Sequence, residues 1–414
     1  MATTKDLSPE EKLALIKDQL QEVLREDILE NVILKEKRPL VVYWGTATTG
    51  RPHCGYFVPM MKIAHFLHAG CRVKILLADV HGFLDNLKAP IDLVKFRAEY
   101  YKFIIQALLK TVGVSLDKLE FVLGSSYQLS PDYTMDLFRL STVVTEHDAK
   151  KAGAEVVKQV ENATLSGLIY PLMQALDEHH LDVDAQFGGV DQRKIFALAQ
   201  EQLPKVGYNV RAHLMNPMVP GLAGGKMSAS DPDSKIDILD TADAVKKKLR
   251  KAYAAAGEVE GNGIISFVEY VLLPLSSLKA PDGKARFVIE KKEEESLVYH
   301  DIDTLKDDYR SDKLTPQLLK SGVTAALVEL LAPIQAEFQA SAEWQDIEKK
   351  AYPPVEPAKK KKQPKDKGSK YPGAGHIKPK SDGSVQGPGK EAEAEAEKTV
   401  QEAISHLAIN GQAA

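Results

Sequence analysis

The chain has 414 residues, 44% hydrophobic and 27% charged, enough to bury the core of two ordered domains. A formal charge of -4 excludes a globally basic nucleic-acid binder, so any contact with phosphate must come from local basic surface. The two cysteines, Cys54 and Cys71, have no CxxC partner and no histidines at zinc spacing; they suggest neither a disulfide framework nor a structural metal, and a reducing cytosol fits.

The first thirty or so residues are acidic and amphipathic, without the apolar run of a secretory signal or the arginine and serine excess of a transit peptide. No export or import signal is therefore expected, and no apolar run reaches the roughly 18 to 20 residues that a membrane span needs. The expected location is the cytoplasm. Ser8-Pro9-Glu10-Glu11 is a capping signature, and Leu13, Ile16, Leu20, Val23 and Leu24 follow at helical spacing. Residues 1–35 are thus expected to supply a lead-in helix, running over 8–34.

Leu40 to Gly45 reads as a buried strand, and Phe57, Met60, Met61, Ala64 and Leu67 line one helical face that Gly70 ends. Val73 to Ala78 is the next strand and Val94 to Lys110 the next helix. Glu120 to Leu123 and Asp184 to Phe187 continue as strands, the second running into Gly188-Gly189. This alternation predicts an α/β fold over residues 36–240, a Rossmann-like doubly wound parallel sheet with right-handed crossovers.

From Ala242 onward, segments such as Ala244 to Ala256 and Leu314 to Phe338 read as helices with no strong strand alternation between them, which predicts a smaller helical domain over 241–352. After Ala351 the composition turns to proline, lysine, glycine and serine, which cannot bury enough apolar surface to fold. Residues 353–414 are expected to be a disordered tail. Its first part is basic, with Lys359 to Lys362, Lys365, Lys367, Lys370, Lys378 and Lys380, and its later part, from Glu391 to Glu397, is acidic and helix-prone.

Two segments have the residue types of a phosphate site. Thr46-Ala47-Thr48-Thr49-Gly50-Arg51-Pro52-His53-Cys54-Gly55-Tyr56 leads from the first strand into a helix that begins near His53. Such a turn points unpaired N–H groups at a ligand, the helix N-terminus favours anions, hydroxyls and a histidine add bonds to phosphate oxygens, and Gly55 lets adenine approach the backbone. Taken alone, the pattern is more often a capped turn than a site. The second segment, Gly221 to Asp231, places Lys226 in a glycine-rich loop with Ser228 and Ser230. The lysine offers a point charge to a pyrophosphate leaving group, and the serines offer bonds that form once the loop has closed. A solvated lysine loop is the bland alternative. Tyr170, Gln174 and Asp177, at i, i+4 and i+7, share one face of a helix that begins near Pro171 or kinks there; that face is either a binding stripe or a solvated side.

The two segments resemble the HIGH and KMSKS signatures of the class I aminoacyl-tRNA synthetases. Tyr43 to Gly50, Leu76 to His81, Lys151 to Gln159 and Gln186 to Lys194 are similar to the eukaryotic and archaeal tyrosyl branch, and the resemblance covers about residues 10 to 355. It departs from the pattern at Cys54, where isoleucine is common, at Tyr56, which replaces the second histidine, and at Ala229, which replaces the second lysine. The role of that histidine does not carry over to Tyr56, and charge on the leaving group falls more heavily on Lys226.

The resemblance implies a ligase that activates tyrosine with ATP to tyrosyl-adenylate and pyrophosphate, then transfers tyrosine to the 3' end of tRNA(Tyr). ATP with Mg2+ is the implied co-substrate, with no prosthetic group and no protein metal site, and a homodimer is the implied assembly. Tyr43 and Asp177 are implied to bind the phenol hydroxyl, and Tyr170, Gln174 and Gln192 the amino and carboxyl end. Asp191 would accept from the ribose hydroxyls, with Gly45, His53, Gly55, Lys226, Met227, Ser228 and Ser230 completing the ATP site; Lys226, His53 and Thr48 are the transition-state candidates. Anticodon reading is expected on 241–352, where Lys246, Lys247, Lys248, Arg250 and Lys251 cluster, although Leu318 stands where relatives tend to carry an acid. The lysine-rich tail is a candidate for non-specific phosphate contacts or nuclear import, or is an inert linker. Three readings compete: a tryptophanyl enzyme of the same class, a catalytically silent RNA-binding or regulatory paralogue suggested by Tyr56 and Ala229, and a small-molecule nucleotidyltransferase, which leaves 241–352 unexplained.

Overall fold

The structure is a computed structural model that describes residues 7–85, 90–156, 164–221, 225–226, 235–291 and 294–353, the side chains of Ile91 and Lys226 excepted. The segment read as a tail lies outside the described residues from 354 onward.

Six strands form the main sheet: β1 Glu22–Leu24, β2 Val41–Ala47, β3 Arg72–Ala78, β4 Leu119–Leu123, β5 Ala185–Gly189 and β6 Ala212–Asn216. Their order is β1-β6-β5-β2-β3-β4; β1 runs antiparallel to β6 and every other pair is parallel. β2 can stand at the centre because Val42, Tyr43 and Trp44 are all buried, as a strand covered on both faces requires. The helices Phe57–His68 and Ile91–Val112 bury Phe57, Met60, Ile63, Phe66, Tyr101, Ile104 and Leu108 in the same core. From β2 the chain builds outward through β3 and β4, then returns to build β5 and β6 on the other side. The expected doubly wound α/β sheet is therefore present, and its order reverses between β2 and β5, where such folds leave a crevice at the carboxyl ends of the strands.

The lead-in helix is shorter than the expected 8–34. Ser8 caps Pro9–Lys17 with both halves of the capping box, but Gln19 and Arg25 take left-handed φ of 56° and 58°, and Glu22 to Leu24 become edge strand β1 against Met215 to His213. Leu20 and Val23 do pack on the core, so the apolar spacing was met by a sheet edge instead of a helix face. A second departure lies in the segment read as wholly helical. Phe287–Ile289 and Leu297–Tyr299 pair as an antiparallel hairpin against the Pro316–Ala340 helix. Gly322 of that helix permits the approach, since a Cβ there would lie 2.7 Å from Ile289 Cγ1. The helix expected over Ala244 to Ala256 spans Ala242–Lys251.

Pro316–Ala340 is also long and apolar enough, by length and composition, to cross a membrane, contrary to the expectation that no such run exists. Its Leu319, Val323, Leu327, Leu331 and Ile334 are all buried at helical spacing, and it is a core helix. The hydrophobic core that contains these side chains also contains those of β2, β3 and β5.

Candidate active site

At the reversal between β2 and β5 lies a cavity of about 370 Å³. β2 contributes Tyr43 and Gly45, the turn after it Thr49, the Leu165–His180 helix Tyr170, Gln174 and Asp177, and the exit of β5 Asp191 and Gln192. The i, i+4, i+7 stripe thus faces inward, and Pro171 sits inside the helix without ending it.

Asp177 is completely buried. A desolvated carboxylate persists only with partners. Its Oδ1 accepts three hydrogen bonds, from Tyr127 Oη at 2.7 Å, Gln128 Nε2 at 2.8 Å and Tyr133 Oη at 2.9 Å. Its Oδ2 has no hydrogen-bond partner among the described residues; the nearest basic atom, His81 Nε2, is 3.9 Å away. Burial lowers the pKa of His81, against the pull of Asp177, so the imidazole is neutral and leaves the carboxylate charge uncancelled. The result is a lopsided acceptor, saturated on one oxygen and open on the other.

Across from it, Tyr43 is 1% exposed and donates to the carbonyl of Gln174 at 3.2 Å. Burial, with the charge of Asp177, holds this phenol far above its ordinary pKa. Gln174 Nε2 donates to Gln192 Oε1 at 2.8 Å and ties the helix to the exit of β5. The glycine pair before that exit has a steric reason. A Cβ at Gly189 would lie 2.4 Å from Asp191 Oδ1, and one at Gly188 would lie 3.0 Å from Gln192 Cγ, so alanine at either position would push the Asp191 or Gln192 side chain from its present place.

The second half of the site is the turn after β2. His53 caps the following helical turn, its Nδ1 accepting from Gly55 N at 3.2 Å, which assigns the proton of the neutral ring to Nε2. Burial, helped by the charge of Lys235, pushes His53 down to about 4. Cys54 N donates to Ile236 O at 2.8 Å and His53 bridges Asp237, so the residues just past the Lys226 loop are tied to this turn. At the other end of the loop Gly225–Lys226 pairs with Pro220–Gly221. The Lys226 side chain, and Met227, Ser228, Ala229 and Ser230, lie outside what is described, as do Val157, Lys158 and Gln159.

The cavity wall therefore gathers Tyr43, Gly45, Tyr170, Gln174, Asp177, Asp191 and Gln192. Thr48, His53 and Gly55 are not on that wall; they lie in and just after the turn, Thr48 fully buried with its Oγ1 unpartnered among the described residues. Tyr56, at the departure from HIGH, does line the cavity and lies 3.0 Å from Thr46 Oγ1. Sequence reasoning assigned no role to Tyr127, Gln128, Tyr133, His81 or Gln186, the last a buried cavity residue whose Oε1 has no partner among the described residues. A signal existed for the first two: Ser125-Ser126-Tyr127-Gln128 follows the carboxyl end of a parallel strand. Chemically, the cavity offers one open carboxylate oxygen at an aromatic end, amides and a carboxylate at the other, and a helix-opening turn beyond.

Residues 35–332 match the family model of the class I tRNA synthetases (W and Y). The chain is 56% identical over 379 residues to the cytoplasmic tyrosine–tRNA ligase of Saccharomyces cerevisiae, covering 90% of this chain and 96% of that one. It is 57% identical over 357 residues to the cytoplasmic tyrosine–tRNA ligase of Danio rerio, spanning 86% of this chain and 65% of the relative. Among solved structures, the tyrosyl-tRNA synthetase of Archaeoglobus fulgidus complexed with L-tyrosine is similar with a TM-score of 0.72 at 35% identity, over 79% of this chain and 99% of that one.

Proposed function

The chain belongs to the class I tRNA synthetases of the tryptophan and tyrosine group, and from that membership we propose that it is a cytoplasmic tyrosine–tRNA ligase. It activates L-tyrosine with ATP and passes the tyrosyl group to the 3' end of tRNA(Tyr).

The observation that carries this reading is the open Oδ2 of buried Asp177, beside Tyr43. A substrate phenol supplies the missing donor, whereas phenylalanine leaves the acceptor unpaired in a dry site, a cost that separates the two amino acids without editing; tyrosine-activating enzymes are themselves the standing example of this rule. An indole N–H sits differently on its ring and does not need the Tyr43–Asp177 pair.

In the first step the tyrosine carboxylate, held by Tyr170, Gln174 and Gln192, attacks the α-phosphorus in line; a new O–P bond forms and the bond to pyrophosphate breaks. No protein nucleophile takes part, so the protein contributes position and charge. His53, neutral at physiological pH, donates from Nε2 to a phosphate oxygen, Thr48 adds its hydroxyl, and Lys226 stabilises the departing pyrophosphate. Gly45, Gly55, Met227, Ser228 and Ser230 contact the nucleotide, and Asp191 the ribose. Mg2+ arrives as part of the nucleotide substrate, held by phosphates and water. In the second step a terminal ribose hydroxyl of the tRNA attacks the tyrosyl carbonyl and AMP leaves.

We assign residues 36–240 to catalysis and 241–352 to anticodon contact, supported by a cleft of about 690 Å³ lined by Lys246, Arg250, Gln317 and Lys320. Leu318 packs on the core beside it, which argues against a base-reading role there. A homodimer is supported by exposed Leu129, Met135 and Phe138. The test is pyrophosphate exchange with each amino acid: dependence on tyrosine alone is expected. Tryptophan dependence favours the sister specificity, and no exchange at all favours a silent paralogue.

A further inference from the structure

The turn Thr48–Pro52 has no regular ladder of its own, so its carbonyls must find donors elsewhere. The Gly50 carbonyl accepts from two phenols, Tyr101 Oη at 2.5 Å and Tyr352 Oη at 2.8 Å. Tyr101 belongs to the core helix Ile91–Val112, but Tyr352 comes 302 residues after Gly50, just past the helix Ala342–Ala351. Arg97 bridges the same two regions: its Nη1 donates to Thr49 O at 2.6 Å and its Nε to Ala351 O at 3.2 Å. Arg51 pairs with Glu348 at 2.8 Å. Both guanidiniums approach the Tyr352 ring, Arg51 at 4.7 Å and Arg97 at 5.1 Å from its centroid. The helix itself is seated by buried Trp344, stacked on Phe103 with centroids 5.4 Å apart.

We infer that Tyr352 is a positioning residue for the ATP half of the site. The helix Ala342–Ala351 braces the Thr49–Arg51 turn, and through it sets Thr48 and His53 where a triphosphate can meet them. This rests on the tyrosine–tRNA ligase reading above. The contacts of Tyr352, to Gly50, Arg51, Arg97 and Tyr100, all lie on the nucleotide side, whereas Asp177 is held from Tyr127, Gln128 and Tyr133. Loss of the brace therefore separates the two substrates, which a general loss of structure does not do.

The test is Tyr352→Phe in the full chain, which keeps the ring and its two arginines and removes only the hydroxyl. In tyrosine-dependent pyrophosphate exchange the KM for ATP rises about fivefold, the worth of one neutral hydrogen bond, while the KM for tyrosine and the Tm stay at wild-type values. Tyr101→Phe gives the same signature, and the double variant exceeds the product of the two, because Gly50 then loses both phenol donors. Glu348→Gln gives a smaller effect of the same kind. An unchanged KM for ATP in Tyr352→Phe overturns the inference, and so does a parallel rise in both KM values with a lowered Tm. A wild-type protein without tyrosine-dependent exchange overturns the underlying reading instead.

Discussion

Tyr127 donates its phenol hydroxyl to Asp177 Oδ1 at 2.7 Å, and that bond decides what the other carboxylate oxygen is free to do. With Gln128 and Tyr133 on the same atom, the carboxyl plane is fixed and Oδ2 is left as an acceptor out of reach of bulk water. Asp177→Ala removes the acceptor of Tyr127 and Gln128 and leaves Tyr133 only the Met173 carbonyl. The expected outcome is loss of tyrosine-dependent exchange, or loss of preference between tyrosine and phenylalanine in competition. A variant that keeps its preference shows that Asp177 is not the phenol acceptor.

The supporting phenols make a gentler prediction. Tyr133→Phe leaves two donors on Oδ1 and releases the Met173 carbonyl, which also accepts from Tyr133 at 2.9 Å. The KM for tyrosine should rise by roughly a factor of five, about 1 kcal/mol, with the KM for ATP unchanged. Titration of each substrate in turn checks it; a rise confined to ATP contradicts the assignment of this end of the cavity to tyrosine.

The main sheet was legible because each parallel strand is a short apolar run followed by a helix with one apolar face, a pattern that local residues alone produce. The lead-in segment misled because Leu20 and Val23 satisfy helical spacing while belonging to a turn and an edge strand, and the deciding partner, Met215 to His213, lies far along the chain. The same limit explains the site. Tyr170, Gln174 and Asp177 share one helix and could be read together, whereas Tyr127, Gln128 and Tyr133 reach Asp177 only after β4 has docked on β3. Tyr352 lies further still from any signature, since nothing local marks a tyrosine as the donor to a glycine carbonyl in the first turn.

Buried histidines, His53, His65 and His81 among them, contribute to the response to acid. Burial and the charge of Lys235 bring His53 down to about 4, and burial with the charges of Lys62 and His68 brings His65 down to about 3, both from 6.5. Between the unfolded and folded values the unfolded chain binds more protons, so stability rises with pH across that window. The contribution is whole above 6.5 and is lost as pH falls through the folded values. The urea midpoint near pH 5 should lie below that near pH 7, and His65→Gln should reduce the difference. An undiminished difference in the variant contradicts the burial of a neutral His65.

Lys226 is assigned to the pyrophosphate, whose charge grows as the bond to the α-phosphorus breaks. Interactions that strengthen only in the transition state appear in the rate and not in ground-state affinity. Lys226→Ala should slow adenylate formation by a hundredfold or more, in the range of about 10²–10³ for a lost charge-stabilising donor, with little change in tyrosine affinity. Single-turnover kinetics with a separate binding titration resolves the two. A large loss of tyrosine binding with an unaltered rate overturns the assignment.

The helix Pro131–Ser141 has two faces with different obligations. Tyr133, Asp136 and Leu140 are buried, and Tyr133 reaches Asp177, whereas Met135 and Phe138 are 52% and 58% exposed, and Leu129, just before the helix, is 69% exposed. Neighbouring apolar side chains left open in this way are characteristic of a surface that another chain covers. If a second copy covers it, the wild type scatters as twice the 45.5 kDa chain mass and Met135→Glu with Phe138→Glu as a single chain, because two buried carboxylates facing an apolar partner cannot be accommodated. Since the same helix carries Tyr133, the separated chain should also bind tyrosine more weakly. Retention of the dimer mass by the double variant places the interface elsewhere, and an unchanged tyrosine KM in a true monomer shows that the inner face of this helix holds Asp177 without help from its outer one.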